Sequence, residues 1–251
     1  MGEVTHQTAT LLLASNPKNR TAALILAAGN STRMGGGTAK QFLALGGIPV
    51  LAHTLLAYQQ SPLITEIIIA AREKEVDTVV ALCEDYRITK LAAVGIGGKN
   101  RQESALRAFS VIGPDIRYVA IADGARCLIT PTEIEMVCGA AYRKKAASAG
   151  IRMTGTVKRV SRGGAILETL DRETLWEAQT PQVFHIALYA AAQSRAASDG
   201  FVGTDDNDLI EHLGYRVQMV ECRKENMKVT TPEDLRIAGA ILAARHRDEK
   251  A

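Results

Sequence analysis

Ala22-Ala23-Leu24-Ile25-Leu26-Ala27-Ala28-Gly29 decides the fold: five apolar residues in a row, then small residues ending in glycine. A short apolar run without polar alternation is buried on both faces, as a central strand of a parallel sheet is. Small residues directly after it let the backbone approach a ligand closely. The same unit recurs outward from this point. The apolar pattern predicts strands over 67–71, 91–94, 118–122 and 147–153, and helices over 49–60, 75–86, 101–109 and 132–145. Strand and helix in alternation imply a doubly wound, mostly parallel α/β sheet, Rossmann-like in layout, with helices on both faces. Such sheets bind ligands beyond the carboxyl ends of their strands, so the loops starting at Ala27, Gly95 and Asp123 are expected to carry the chemistry.

The pattern changes over 154–172, where Lys158, Arg159, Arg162, Gly163 and Gly164 interrupt short apolar alternations. This reads as a β-hairpin arm turning at Ser161 to Gly164. Such an arm buries little by itself, so it either crosses onto a partner subunit or lies as a simple surface hairpin. Helices are expected over 186–197 and 205–213, a strand over 216–220, and then a closing helix. That last helix has Thr231 as N-cap, Pro232 at its first position and Glu233 and Asp234 in its first turn. The expected organisation is a flexible tail at 1–20, one domain over 21–246 carrying the arm, and a short tail at 247–251.

Composition excludes several classes of function. The 251 residues hold 30 Lys plus Arg against 27 Asp plus Glu, a net charge of +3, and only 4% are aromatic. With no basic run and few rings for bases to stack on, a nucleic-acid partner is not expected. Cys83, Cys127, Cys138 and Cys222 form no C-x-x-C clip, and the histidines form no ligand pattern with each other or with cysteine, so no metal site of protein ligands is expected. The Leu11-Leu12-Leu13 run is far short of the ~18 apolar residues a membrane span needs. A cytoplasmic location with reduced thiols, and no membrane partner, is the reading that follows.

The loop after the first strand continues Asn30-Ser31-Thr32-Arg33-Met34-Gly35-Gly36-Gly37-Thr38-Ala39-Lys40-Gln41. It is not a P-loop, which needs G-x-x-x-x-G-K-[ST], and no G-x-G-x-x-G follows the strand. What it offers is glycine-rich backbone with two cations, Arg33 and Lys40, seven residues apart.

This loop resembles the L-A-A-G-x-[SG]-x-R-M-x(5)-K-Q signature of sugar nucleotidyltransferases, and is most similar to that of the 2-C-methyl-D-erythritol 4-phosphate cytidylyltransferase family. Further blocks agree in type and order. Gly97-Gly98-Lys99-Asn100-Arg101-Gln102-Glu103-Ser104 is similar to the family's cytidine-binding G-G-x-x-R-x-x-S loop, and Asp123-Gly124-Ala125-Arg126 to its D-x-A-R motif. Arg172 and Gln179-Thr180-Pro181-Gln182 resemble its arm end and T-P-Q segment. Thr204-Asp205-Asp206 and Lys228-Val229-Thr230 resemble its last two blocks.

The resemblance implies attack by a polyol phosphate on the α-phosphate of CTP, with magnesium bridging the nucleotide phosphates. It assigns catalysis to Arg33, Lys40, Arg172 and Lys228. Nucleotide binding falls to Ala27, Ala28, Gly29, Asn30, Gly97, Gly98, Lys99 and Ser104, and acceptor binding to Asp123, Arg126, Thr156, Thr204 and Thr230. It also implies a homodimer in which Thr156 and Arg172 reach a partner's site. Each residue has a plainer reading as well: Asp123 as a strand cap, Thr204 with Asp205 and Asp206 as a helix start, Lys228 as a solvated loop lysine. Lys99 stands where many members carry Asp. A ribitol-5-phosphate cytidylyltransferase, or an inactive nucleotide-binding or scaffold relative, would share the same loops.

Overall fold

The computed structural model describes residues 6–29 and 39–248. In chain order the first strands are β1 (Thr21–Leu26), β2 (Ala44–Leu45), β3 (Ile48–Pro49), β4 (Ile64–Ala71), β5 (Leu91–Ile96) and β6 (Tyr118–Asp123). They are followed by β7 (Ala146–Arg152), β8 (Lys158–Val160), β9 (Ile166–Thr169), β10 (Trp176–His185) and β11 (Gln218–Glu221). Eight helices accompany them among the described residues: α1 (His6–Ser15), α2 (Val50–Gln60), α3 (Val76–Asp85), α4 (Arg101–Phe109), α5 (Pro131–Lys144), α6 (Ile186–Asp199), α7 (Asp206–His212) and α8 (Pro232–Asp248).

Seven strands form one sheet in the order β11-β7-β10-β6-β1-β4-β5. β1 pairs in parallel with both β4 and β6, so the opening apolar run is central, as its composition requires. Its side chains alternate between two layers. Ala23 and Ile25 join Leu51, Leu55, Val79 and Val137 from α2, α3 and α5; Ala22 and Leu24 join Ala105, Tyr189 and Leu209 from α4, α6 and α7. Leu24 and Ile25 are fully buried, and each stabilises the fold by roughly 1.5–3 kcal/mol. A third, smaller cluster joins Val50, Ala125, Leu128 and Val229 to Ala238 of α8.

Besides the two-residue strands β2 and β3, two longer elements differ from the sequence expectation. β10 is a ten-residue strand at a stretch where no alternation announces one, and it runs antiparallel between β6 and β7. Half of its buried residues are polar, Gln179, Thr180 and Gln182, so hydrogen-bond partners help hold it in place of apolar alternation. The second difference lies in the stretch expected as a tail, where His6–Ser15 is the helix α1. Its Ala and Leu content favours a helix, and it packs on α5: buried Thr10 donates to Glu135 at 3.2 Å and Leu13 lies against the core.

The hairpin expected over 154–172 is present. β8 and β9 pair antiparallel, with Arg159 and Glu168 facing each other at 2.9 Å, and Gly164 takes φ +85 in the turn. This ribbon belongs to no other sheet, and Val160, Ile166 and Leu167 on it are 50%, 64% and 61% exposed.

Candidate active site

The carboxyl ends of β1 and β6, together with the loop after β5, open into a cleft of about 320 Å³. Ala27, Ala28, Gly29, Lys40, Gly98, Lys99, Ser104, Asp123 and Lys228 line it, so nine residues named from the sequence meet in one place. Asn30 and Arg33 lie outside the described residues.

The two backbone loops on the nucleotide side touch each other. Gly97 donates its N–H to the Ala71 carbonyl at 2.8 Å, and a Cβ on it would collide with Ala28 and the Ser104 hydroxyl. Only glycine lets these loops pack so closely. Ser104 is almost fully buried; its hydroxyl donates to the Asn100 carbonyl at 2.8 Å and accepts from the Gly98 N–H at 2.9 Å. Both ties shape the loop, and Ser104 holds Gly98 in place. Asn100 caps α4 by accepting from the Glu103 N–H at 2.8 Å, while the Glu103 carboxylate accepts from the Lys99 N–H at 2.8 Å. A short 3₁₀ turn, Lys40–Phe42, brings Lys40 into the cleft, where its Nζ donates to the Val229 carbonyl at 3.1 Å. Gln41 beside it is buried and donates to the Ala27 carbonyl at 3.0 Å and to Glu75 at 2.8 Å, tying the 3₁₀ turn to the end of β1.

Asp123, at the end of β6, is the hub. Lys228 Nζ stands 3.0 Å and Arg126 Nε 3.5 Å from its Oδ2, while Arg101 Nε stands 3.5 Å from its Oδ1. Burial pushes the Asp123 carboxyl up, but Lys228, Arg101 and Arg126 outweigh it and hold it below the ordinary aspartate value. Its backbone N–H donates to the Thr180 hydroxyl at 3.1 Å, and Arg126 donates to the Asn226 carbonyl at 2.7 Å.

Other named residues stand elsewhere in this single chain. Thr156 and Arg172 are exposed at the root of the hairpin, where Arg172 donates to the Thr154 carbonyl at 3.1 Å. Thr204 donates to Asp208, from its N–H at 2.9 Å and from its hydroxyl at 3.3 Å, before α7; Thr230 donates in the same two ways to Asp234 before α8, at 2.8 and 2.7 Å. Asp205 is the N-cap of α7, and Asp206 is fully buried against Arg101. Arg101, Gln41 and Asp206 were not singled out from the sequence. All three lie inside the quoted motifs, so a signal for each residue was present, whereas the pairing of Asp206 with Arg101 bridges 105 positions and left none.

Among the described residues no group of three or more His, Cys, Asp or Glu comes together, and Asp123 is the only carboxylate lining the cleft. The arrangement suits a polyanion: backbone N–H groups on one wall, Lys40 and Lys228 on the other, and no histidine poised as a base. No helix among the described residues is long and apolar enough to cross a membrane.

Comparison with known proteins agrees with this geometry. Residues 21–244 match the family model described as 2-C-methyl-D-erythritol 4-phosphate cytidylyltransferase. A protein of that name from Halalkalibacterium halodurans is 42% identical over 224 residues, spanning 89% of this chain and 97% of the relative. The crystal structure of 4-diphosphocytidyl-2C-methyl-D-erythritol synthase from Anaerococcus prevotii superposes with a TM-score of 0.79 at 26% identity, covering 90% of this chain and 99% of that one. The crystal structure of the Thermus thermophilus 2-C-methyl-D-erythritol 4-phosphate cytidylyltransferase gives 0.71 at 28% identity, over 88% and 98%.

Proposed function

Because this chain belongs to the 2-C-methyl-D-erythritol 4-phosphate cytidylyltransferase family, we propose that it transfers the cytidylyl group of CTP to 2-C-methyl-D-erythritol 4-phosphate, releasing pyrophosphate, in the non-mevalonate route to isoprenoid precursors. The observation that carries the reading is the meeting of Lys40, Lys228 and both glycine loops around Asp123 in one cleft.

The acceptor phosphate has a second pKa of ~6 and is largely ionised at neutral pH, so no base has to remove a proton. One of its oxygens attacks the α-phosphorus, the new P–O bond forms as the bond to the β-phosphate oxygen breaks, and that electron pair leaves with pyrophosphate. What the protein supplies is fixed positive charge and alignment. Lys40 and Arg33 offset the charge growing on the α-phosphate. Lys228 holds the acceptor phosphate, and Asp123 with Arg126 orients the polyol. The backbone of Ala27, Ala28, Gly29 and Asn30 cradles the nucleotide phosphates, and the Gly97-Gly98-Lys99 loop, shaped by Ser104, faces the base and ribose. Thr204 and Thr230 act through the helix starts they build.

The reading includes a homodimer, in which the exposed apolar face of the hairpin is covered and Thr156 and Arg172 complete a partner's cleft. The 61–64% exposure of Ile166 and Leu167 supports it. Cytoplasmic location belongs to the reading too, and the four free, buried cysteines suit it. A divalent cation, magnesium, fits as a guest of the nucleotide: with a single cleft carboxylate among the described residues, already ringed by three cations, its ligands would be phosphate oxygens and water, with Asp123 as the one acidic candidate among those residues. Bound to the triphosphate, such an ion neutralises charge and orients the reacting phosphate.

The test is pyrophosphate release with CTP and magnesium, comparing 2-C-methyl-D-erythritol 4-phosphate with ribitol 5-phosphate as acceptors. Turnover with the first and little with the second is expected. Preference for ribitol 5-phosphate, or no release with either, overturns the reading.

A further inference from the structure

Asp206 opens α7, and none of its side chain reaches solvent. Burying a carboxylate costs several kcal/mol unless its oxygens are well satisfied, so its partners matter. One oxygen accepts the Tyr189 hydroxyl at 2.8 Å and the other accepts from the Arg101 guanidinium, while its backbone N–H donates to Gln182 at 2.9 Å. Tyr189 is fixed in turn. It is fully buried, its ring lies between Phe184 and Phe109 at centroid distances of 5.7 and 5.1 Å, and its hydroxyl accepts from Gln193 at 2.6 Å.

Arg101 connects this inner cluster to the cleft. Its guanidinium is one rigid plane, so anchoring Nη1 on Asp206 also sets the position of Nε, which stands 3.5 Å from Asp123 Oδ1. Lys228 and Arg126 share the other oxygen, Oδ2. The two oxygens of Asp123 are therefore divided between two sides of the site. Without the anchor, Arg101 would be free to turn toward incoming phosphates. Asp123 would then compete with the acceptor phosphate for Lys228 with both oxygens.

We propose that Asp206, backed by Tyr189, is a positioning residue for the transfer: by holding Arg101 it fixes the Asp123 carboxylate, leaving one oxygen to share Lys228 with the acceptor phosphate. The inference rests on the cytidylyltransferase reading above.

Steady-state kinetics with CTP and 2-C-methyl-D-erythritol 4-phosphate test it in four proteins: wild type, Asp206→Asn, Tyr189→Phe, and the double variant Asp206→Asn/Arg101→Met, each with a thermal melt. Asp206→Asn is expected to lose roughly 10- to 100-fold in kcat/KM for the acceptor while KM for CTP stays within about two-fold. Tyr189→Phe, which keeps the ring packing, is expected to show the same pattern with a smaller loss. The double variant removes the half-buried guanidinium that has lost its Asp206 anchor, so it regains much of the melting temperature but not the turnover. If turnover returns together with stability, the network is merely structural and the proposal is overturned. Equal losses for both substrates, or kinetics within two-fold of wild type in Asp206→Asn, overturn it as well. An inactive wild type is a different failure: it removes the cytidylyltransferase reading, and the proposal with it.

Discussion

Lys40 Nζ and the Val229 carbonyl lie 3.1 Å apart, joining positions separated by 189 residues. The Val229 N–H in turn donates to the Ala125 carbonyl at 2.8 Å, and Lys228, one residue earlier, reaches Asp123. Three distant stretches of chain thus close around Val229 and its neighbour Lys228. Replacing Lys40 by Ala removes a cation from the cleft without opening the core, so turnover is expected to fall by about 10²- to 10³-fold with only a small change in melting temperature. Pyrophosphate release and calorimetry check both halves; near-normal turnover would refute the role assigned to Lys40.

The proposed sharing of sites between subunits predicts the outcome of a mixing experiment. On that proposal Lys40→Ala damages the body of a site, whereas Arg172→Ala damages only the arm lent to the other, and neither homodimer is expected to turn over well. In a re-equilibrated equimolar mixture half the dimers are mixed, and each holds one intact site, so about a quarter of wild-type activity is expected. Additive residual activity after mixing would mean that each subunit completes its own site.

A pH effect should localise to the start of α8. Burial pushes the Asp234 carboxyl up, but hydrogen bonds from the side chain and N–H of Thr230 and from the Thr231 N–H more than offset it and hold it below 3.8. A carboxyl with a depressed folded value contributes stability above its unfolded value and loses it as pH falls through the folded one. Asp234→Asn keeps an acceptor oxygen but loses the negative charge at the helix start, so it is expected to cost about 0.3–1 kcal/mol at pH 7. The difference from wild type should shrink once the pH passes below 3.8. Urea melts of both proteins at pH 7 and pH 3 measure it; an unchanged difference would contradict the assignment.

The cysteines should be silent in the native protein. Burial pushes the thiols of Cys83 and Cys127 up to about 11 and those of Cys138 and Cys222 up to about 12. Native protein at pH 8 is expected to react negligibly with a chromogenic disulfide reagent, and protein in guanidinium to release all four equivalents. Rapid native labelling would show that one of these sites opens readily.

How much of this was legible in the sequence depended on the kind of burial. Strands such as β1 and β6 bury apolar side chains on both faces, so their residues announce them. β10 gives no such sign because its buried Gln179, Thr180 and Gln182 are satisfied by Asn226, Asp123 and Asp205, partners far off in sequence. The site divides in the same way. Ala27, Gly98 and Asp123 lie in contiguous loops after strands and could be read directly, whereas the anchoring of Arg101 by Asp206 exists only once α4 and α7 have packed. Thr204 and Thr230 were legible as motif residues, yet their hydroxyls donate to Asp208 and Asp234, the task a helix start sets for them.

The hairpin leaves the sheet from β7 and returns into β10, and these two strands are hydrogen-bonded neighbours as far out as Arg152 and Trp176. The Arg152 guanidinium lies 4.5 Å over the Trp176 ring, and the Met153 N–H donates to the Leu175 carbonyl at 3.0 Å, so the root of the ribbon is clamped. Farther along β10 sit Thr180 and Gln182, which grip Asp123 and Asp205. The root of the ribbon and the partner of the Asp123 backbone thus lie on one strand, so the strand hardest to read in the sequence is the one that joins the arm to the cleft.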